Sequence, residues 1–285
     1  MSDALGWLLD PYEFEFMRLA LAALAITSVV TAVVGAFVVH KGLAFLGDAL
    51  AHATLAGVAI AFVNGLSISL GALVAASVTA LGVGWTQRRA RVSADTAIGI
   101  LFVAMFSLGV LVLSRRTSYT PDLLSFVFGD ILGVSRGDVF AAAVLGAAVV
   151  LFVVALYREL VFVSYDPAMA TASGLPVGAL QYALLLLIAV AVVVSLRAIG
   201  IILVNAMLVI PAATASVFAQ RLPAIMALGA LLALIASVTG LQLSYYFEVA
   251  TSPTIVLVAC GLFAAALVVR AVRERARLRV EARAT

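Results

Sequence analysis

Apolar residues fill the chain in nine blocks: about Met17–Val39, Leu43–Val63, Leu66–Trp85, Ala94–Leu113, Val139–Leu156, Ala179–Leu196, Ile199–Ala219, Pro223–Tyr245 and Pro253–Val269. Charged residues gather in the short gaps between them. A helix crossing the hydrocarbon layer of a bilayer needs about 20 such residues, so each block predicts one membrane-spanning helix. The blocks are too long and too continuously apolar for the roughly ten-residue alternation of an outer-membrane barrel. The expected fold is all-α: a polytopic transmembrane helical bundle of about nine spans, with eight as the alternative, forming one domain over residues 1–285.

Composition excludes the soluble classes. Only 11% of the residues are charged and 65% are hydrophobic, against roughly 25% charged residues in an average soluble domain. The small excess of positive charge sets topology. Arg88, Arg89 and Arg91 follow the third block, and six arginines lie between Arg270 and Arg283. Cytoplasmic connectors carry an excess of Lys and Arg, so both clusters are expected in the cytoplasm. Lys41, Arg158 and Arg221 join them, which makes twelve of the 17 basic residues. An odd number of spans then puts residues 1–16, acidic through Asp3, Asp10, Glu13 and Glu15, outside the cytoplasm, and segments 158–178 and 270–285 inside. An acidic start also predicts that the first block is retained as a membrane helix. Cys260, within the last block, is expected as a small core residue.

Two connectors carry structure of their own. In Tyr119–Asp138, Thr120 can cap a helix with Pro121 at its first position, and Gly129 and Gly133 interrupt it, which predicts an interfacial or re-entrant helix with Asp130 as a helix-end residue. In the second, Asp166 can act as N-cap and Pro167 fits the first turn. Ala168, Met169 and Ala170 continue the helix, and Gly174 can end it in the left-handed conformation. Its small residues would let another protein's surface approach closely.

The second block holds Asp48 and His52, with no Lys or Arg within a helical turn. An intramembrane carboxylate costs about 2.5–3.5 kcal/mol at a helix centre and is read as functional by default. A four-residue spacing puts both side chains on one helix face. Carboxylate with imidazole suits zinc, manganese or iron more than calcium or magnesium. One helix supplies only two ligands; two copies about a two-fold axis would supply Asp2His2, enough for a four-coordinate metal. An intrahelical Asp–His hydrogen bond and a proton relay are the other readings of the pair. His40, beside Lys41, is expected as an interfacial residue. Asn205, amid the seventh block and ahead of Pro211, could line a pathway or make an interhelical hydrogen bond. The single lysine, Lys41, lies in no phosphate-loop pattern, and neither H-E-x-x-H nor G-x-S-x-G occurs. The chain is therefore expected neither to hydrolyse ATP itself nor to act as an enzyme.

Six ordered stretches resemble the membrane permease subunits of bacterial ATP-binding cassette importers for manganese, zinc and iron. They are GLAFLGDALAHATLAGVAIAF (42–62), DTAIGILFVAMFSLGVLVLS (95–114), FVFGDIL (126–132), SYDPAMATASGLPVG (164–178), GIILVNAMLVIPAATA (200–215) and SYYFEVATSPTIVL (244–257). The resemblance implies a homodimeric permease in the inner membrane, fed by an extracytoplasmic metal-binding solute-binding protein and driven by a pair of cytoplasmic ATPase subunits that bind the ATP. No cofactor stays bound, and the cargo is a divalent metal, zinc or manganese ahead of iron. It further implies that Asp48 and His52 contact the metal and that Asp166, Pro167, Ala168, Met169, Ala170 and Gly174 form the coupling helix on the ATPase. A proton-coupled secondary transporter with Asp48 and His52 as relay is the competing expectation. The chain departs from the family in having His40 and Lys41 where an Arg is common.

Overall fold

The computed structural model describes residues 10–114 and 131–284, with side chains to residue 276. A 3-10 turn at Asp10–Glu13 leads into eleven α-helices: α1 (Glu15–His40), α2 (Ala44–Val63), α3 (Ile68–Ala90), α4 (Ala94–Ser114), α5 (Arg136–Ala155), α6 (Tyr157–Tyr165), α7 (Pro167–Ala172), α8 (Val177–Ile199), α9 (Ile201–Ser216), α10 (Leu222–Phe247) and α11 (Thr251–Ala284). No strand occurs among the described residues. Eight of these helices are long and apolar enough to cross a membrane, so this is a multi-pass membrane protein. Most of the Tyr119–Asp138 expectation, Asp130 included, lies outside the described residues. Its last part forms a 3-10 turn at Ile131–Gly133 and the cap of α5, where Ser135 and Asp138 exchange side-chain and backbone hydrogen bonds in a capping box.

The polar ends show how the chain threads. At one end His40 packs against Tyr165 with ring centroids 4.1 Å apart and planes tilted by 42°, Arg88 donates to Gln181, and the Tyr165 hydroxyl donates to the Gln220 carbonyl. At the other, Arg136 pairs with Glu15 at 2.6 Å, and Arg197 reaches Asp138 at 3.1 Å and donates to Ser69 at 2.7 Å. These are called the Lys41 end and the Arg197 end below. Successive long helices run between them in alternation.

The seventh apolar block forms a shorter helix than its pattern suggests. α9 has 16 residues, about 24 Å at 1.5 Å per residue. Gly200, at φ 79°, separates it from α8, and regular helix stops at Ser216. The chain still passes from Arg197 at one end to Gln220 at the other, so the seventh block keeps its place in the alternation.

α1, α2, α8 and α9 make the centre. The most apolar windows of α1 and α2 are 67% buried, against 17% for α4 and α11 at the periphery. Lipid is as apolar as a leucine side chain, so helices associate through close packing and polar contacts. Gly57 of α2 and Gly71 of α3 meet backbone to backbone, and Gly35 of α1 lies against the Leu208 carbonyl of α9. Ser28 and Ser237 join α1 to α10 at 3.1 Å. Thr27, Thr31 and Thr79 donate to carbonyls one turn back, which satisfies their hydroxyls where no water reaches. Cys260 is exposed on peripheral α11, not in the core. A helix apolar on every side gives no periodic signal of which face is inside, and that is why the sequence misplaces it.

Candidate metal centre

α2 follows a turn at Gly42, at φ 67°. Its small residues Ala49, Ala53, Ala56 and Gly57 are buried, which brings it close to α3 and α4. Phe45, Asp48, His52 and Leu55 recur at helical spacing and form a less buried stripe. Asp48 is the fifth residue of α2 and His52 the ninth. The histidine therefore sits near mid-helix and the carboxylate one turn nearer the Lys41 end, away from the helix centre.

His52 Nε2 and Asp48 Oδ1 are 3.5 Å apart, with side chains 30% and 41% exposed. A tight hydrogen bond would bring them to about 2.7–3.0 Å. Two donors about 2.1 Å from one metal at a tetrahedral angle stand about 3.4 Å apart, so the spacing suits chelation with little movement. Phe102 and Phe106 of α4 meet the imidazole edge to face, at centroid distances of 5.5 and 5.9 Å. They fix its ring plane on one side. Among the described residues no three His, Cys, Asp or Glu come together as a metal cluster, so one chain offers two ligands. The sequence marks this aromatic wall only by the four-residue spacing of Phe102 and Phe106.

Asn205 of α9 lies beside this helix. Its Oδ1 stands 3.1 Å from where a side chain at Gly47 would begin, and it is buried with no hydrogen-bond partner. An unpaired buried amide oxygen costs about 1–3 kcal/mol. The interhelical hydrogen bond weighed from the sequence is not made through that oxygen.

Away from the pair, the helix expected at Asp166–Gly174 is present as α7. Asp166 Oδ1 accepts from the Met169 amide at 2.9 Å, and Gly174, at φ 81°, closes the turn. Ala170 is its only buried residue, while Met169 is 58% exposed. α7 thus stands out from the Lys41 end as a short capped knob.

Three comparisons place this architecture among known proteins. The profile of the ABC 3 transport family matches residues 13–270. The manganese transport system membrane protein MntC of Halalkalibacterium halodurans is 39% identical over 254 residues, 89% of this chain and 87% of that protein. The chelated iron transport system membrane protein YfeD of Yersinia pestis is 34% identical over 259 residues, 91% and 87% of the two chains. Among solved structures, PsaBC from Streptococcus pneumoniae in complex with Fab superposes with a TM-score of 0.81 at 33% identity, over 92% of this chain and 95% of that one. On the extent of the family match, the identity to its members and the shared helical architecture, the chain belongs to the ABC 3 transport family.

Proposed function

We propose that the chain is the permease subunit of an ATP-driven importer for a divalent transition metal, with manganese as the cargo and iron and zinc as its competitors. The observation that carries this reading is the Asp48–His52 pair, held at chelating distance on a partly open stripe of an otherwise buried helix. A carboxylate on that stripe is not stable against lipid; it faces water, metal or a second protein surface. The names of the relatives, for manganese and for chelated iron, support the cargo class.

In this reading two copies bring their α2 stripes together about a two-fold axis, and Asp48 and His52 from each complete a four-ligand site. Asn205, with its unpaired oxygen beside Gly47, lines the pathway. The segment around Asp166, Pro167, Ala168, Met169, Ala170 and Gly174 seats on a cytoplasmic ATPase subunit, a role that its exposure and capped rigidity support. The Lys41 end, with the basic clusters, faces the cytoplasm. The acidic N-terminal side faces an extracytoplasmic solute-binding protein that delivers the metal. Energy comes from ATP on the partner subunits, in keeping with a sequence that has no phosphate loop.

Radiotracer uptake into proteoliposomes tests this, with the chain, its ATPase and its solute-binding protein, and with manganese, iron and zinc in competition. Wild-type uptake should require ATP, and Asp48→Ala and His52→Ala should each fall to the level of empty vesicles while still assembling with the ATPase. Normal uptake by either variant would refute the site. Uptake by the chain with no ATPase present would replace the reading with a proton-coupled one.

A further inference from the structure

A cavity of about 400 Å3 lies at the Lys41 end, among the C-termini of α1 and α3, helix α6 and the first turns of α8. Lys41, Arg88, Ser164, Gln181 and Tyr182 form its polar wall, and Leu43, Leu184 and Leu185 an apolar one. It holds two cations and no acid. Among the described residues no carboxylate lies within ion-pair distance of Lys41 or Arg88.

Arg88 is fixed in place. Its Nη2 donates to Gln181 Oε1 at 2.7 Å, and its guanidinium lies over the Tyr182 ring, 4.9 Å from the centroid. Its Nη1 rests so close to Gly178 that a side chain there would begin 2.7 Å away. Ser164 Oγ is buried without a hydrogen-bond partner. Burial holds the Lys41 ammonium below its ordinary pKa, as expected of a cation with no counter-charge.

The Ser164 hydroxyl is buried without a partner, which costs free energy until a ligand satisfies it. Lys41 is partly buried without a counter-charge, and Arg88, exposed and anchored through Gln181, keeps further N–H donors for a ligand. The ligand that satisfies all three groups is an anion with several acceptor oxygens. Phosphate meets the description: a guanidinium fork, a lysine point charge and a hydroxyl donor are its usual partners. The cavity also sits where the membrane helices end, and its leucine wall can take a glycerol backbone and the first methylenes of a lipid. Basic pockets between helices at that level bind anionic lipid headgroups. A carboxylate from a protein partner would leave the leucine wall unused.

We propose that this cavity binds the phosphodiester headgroup of an anionic phospholipid, gripped by Lys41 and Arg88 with Ser164 donating a third hydrogen bond. One lipid then ties α1, α3, α6 and α8 together. The site shares no residue with the Asp48–His52 pair and does not depend on the cargo.

The test uses the purified full chain, titrated in separate arms with phosphatidylglycerol, phosphatidylcholine and inorganic phosphate. Retained lipid is read by native mass spectrometry and stability by the thermal midpoint. Phosphatidylglycerol should be retained and should raise the midpoint, while the other two arms do neither. Lys41→Gln and Arg88→Gln should each weaken its binding about tenfold. Lys41→Arg should keep it, and Arg89→Gln, outside the cavity, should leave it unchanged, which separates loss of the site from loss of fold or of general surface charge. Equal retention of phosphatidylcholine, or undiminished phosphatidylglycerol binding in the Lys41→Gln/Arg88→Gln double variant, would overturn the proposal. Stabilisation by inorganic phosphate alone would overturn the lipid source. Stabilisation by the ATPase subunit with no lipid retained would overturn it in favour of an acidic protein surface.

Discussion

Gly57→Ala is the sharpest probe of how α2 is held. A methyl group at Gly57 would fall on the Gly71 carbonyl of α3, and even the farther Ala75 methyl would stand at 2.7 Å, where ordinary contact begins at 3.4 Å. α3 must then retreat by at least about 0.7 Å along a long contact, and overpacking of this kind costs about 1–3 kcal/mol. Alanine repays about 0.5–1 kcal/mol through its better helix propensity. The net loss is about 1.2 kcal/mol at mid-range and up to about 2.5 kcal/mol, a factor of about 8 to 70 in the folding equilibrium. Gly99→Ala in α4 is the matched control, because nothing lies within 4 Å of the added methyl; it should be neutral or stabilising. Unfolding of the purified chain in a denaturing-detergent titration measures both variants. Gly57→Ala at or above wild-type stability would refute the close-approach argument. Since α2 also carries Asp48 and His52, transport should fall further than stability, as small displacements at a reacting site are amplified.

Other consequences are open to measurement. Ser28→Ala and Ser237→Ala should show a coupling of about 0.6 kcal/mol in a double-mutant cycle, whereas strictly additive losses would mean that the two hydroxyls do not bond. Asp166→Ala removes the acceptor of the Met169 amide and should cost about 0.5–2 kcal/mol. Because α7 has only six residues, hydrogen exchange across 167–172 should quicken and ATP hydrolysis in the assembled transporter should lose its dependence on cargo. Asp166→Ser should restore both, and unchanged exchange in the alanine variant would show that the cap does not hold the helix.

Much of this architecture is legible in the sequence because bilayer thickness imposes a length on every crossing helix. Eight of the nine apolar blocks become helices close to their expected bounds, while the last runs on as α11 through the basic segment expected as a tail, to Ala284. The Asp166–Pro167 start and Gly174 stop of α7 follow from local capping chemistry that no tertiary contact overrides. What was hidden is whatever depends on rotation about a helix axis. Cys260 and the Phe102–Phe106 wall sit in segments apolar on every side, where no moment marks the inner face. Likewise the pairing of Arg197 with Asp138 and Ser69, and of Arg88 with Gln181 and Tyr182, joins residues far apart in sequence. At the candidate site the four-residue spacing makes Asp48 and His52 neighbours. Only the structure shows that the pair is partly open and that Asn205 lies beside the same helix.

The shortness of α9 has an electrical meaning. At about 24 Å against roughly 30 Å of hydrocarbon, it falls short of the insulating layer that its longer neighbours define, and α1, α2, α8, α10 and α11 surround it so that lipid does not make up the difference. Beyond Ser216 the chain turns without regular helix to Gln220, whose carbonyl is met by the Tyr165 hydroxyl. Such backbone at membrane depth is stable only inside protein or against water. Moving an ion into a low-dielectric medium costs on the order of 20 kcal/mol, so in the proposed permease water reaching the ends of α9 would shorten the low-dielectric stretch a cation crosses. In the permease proposed above, the ends of α9 and the liganding pair would together set where a cation meets water along the axis of the bundle.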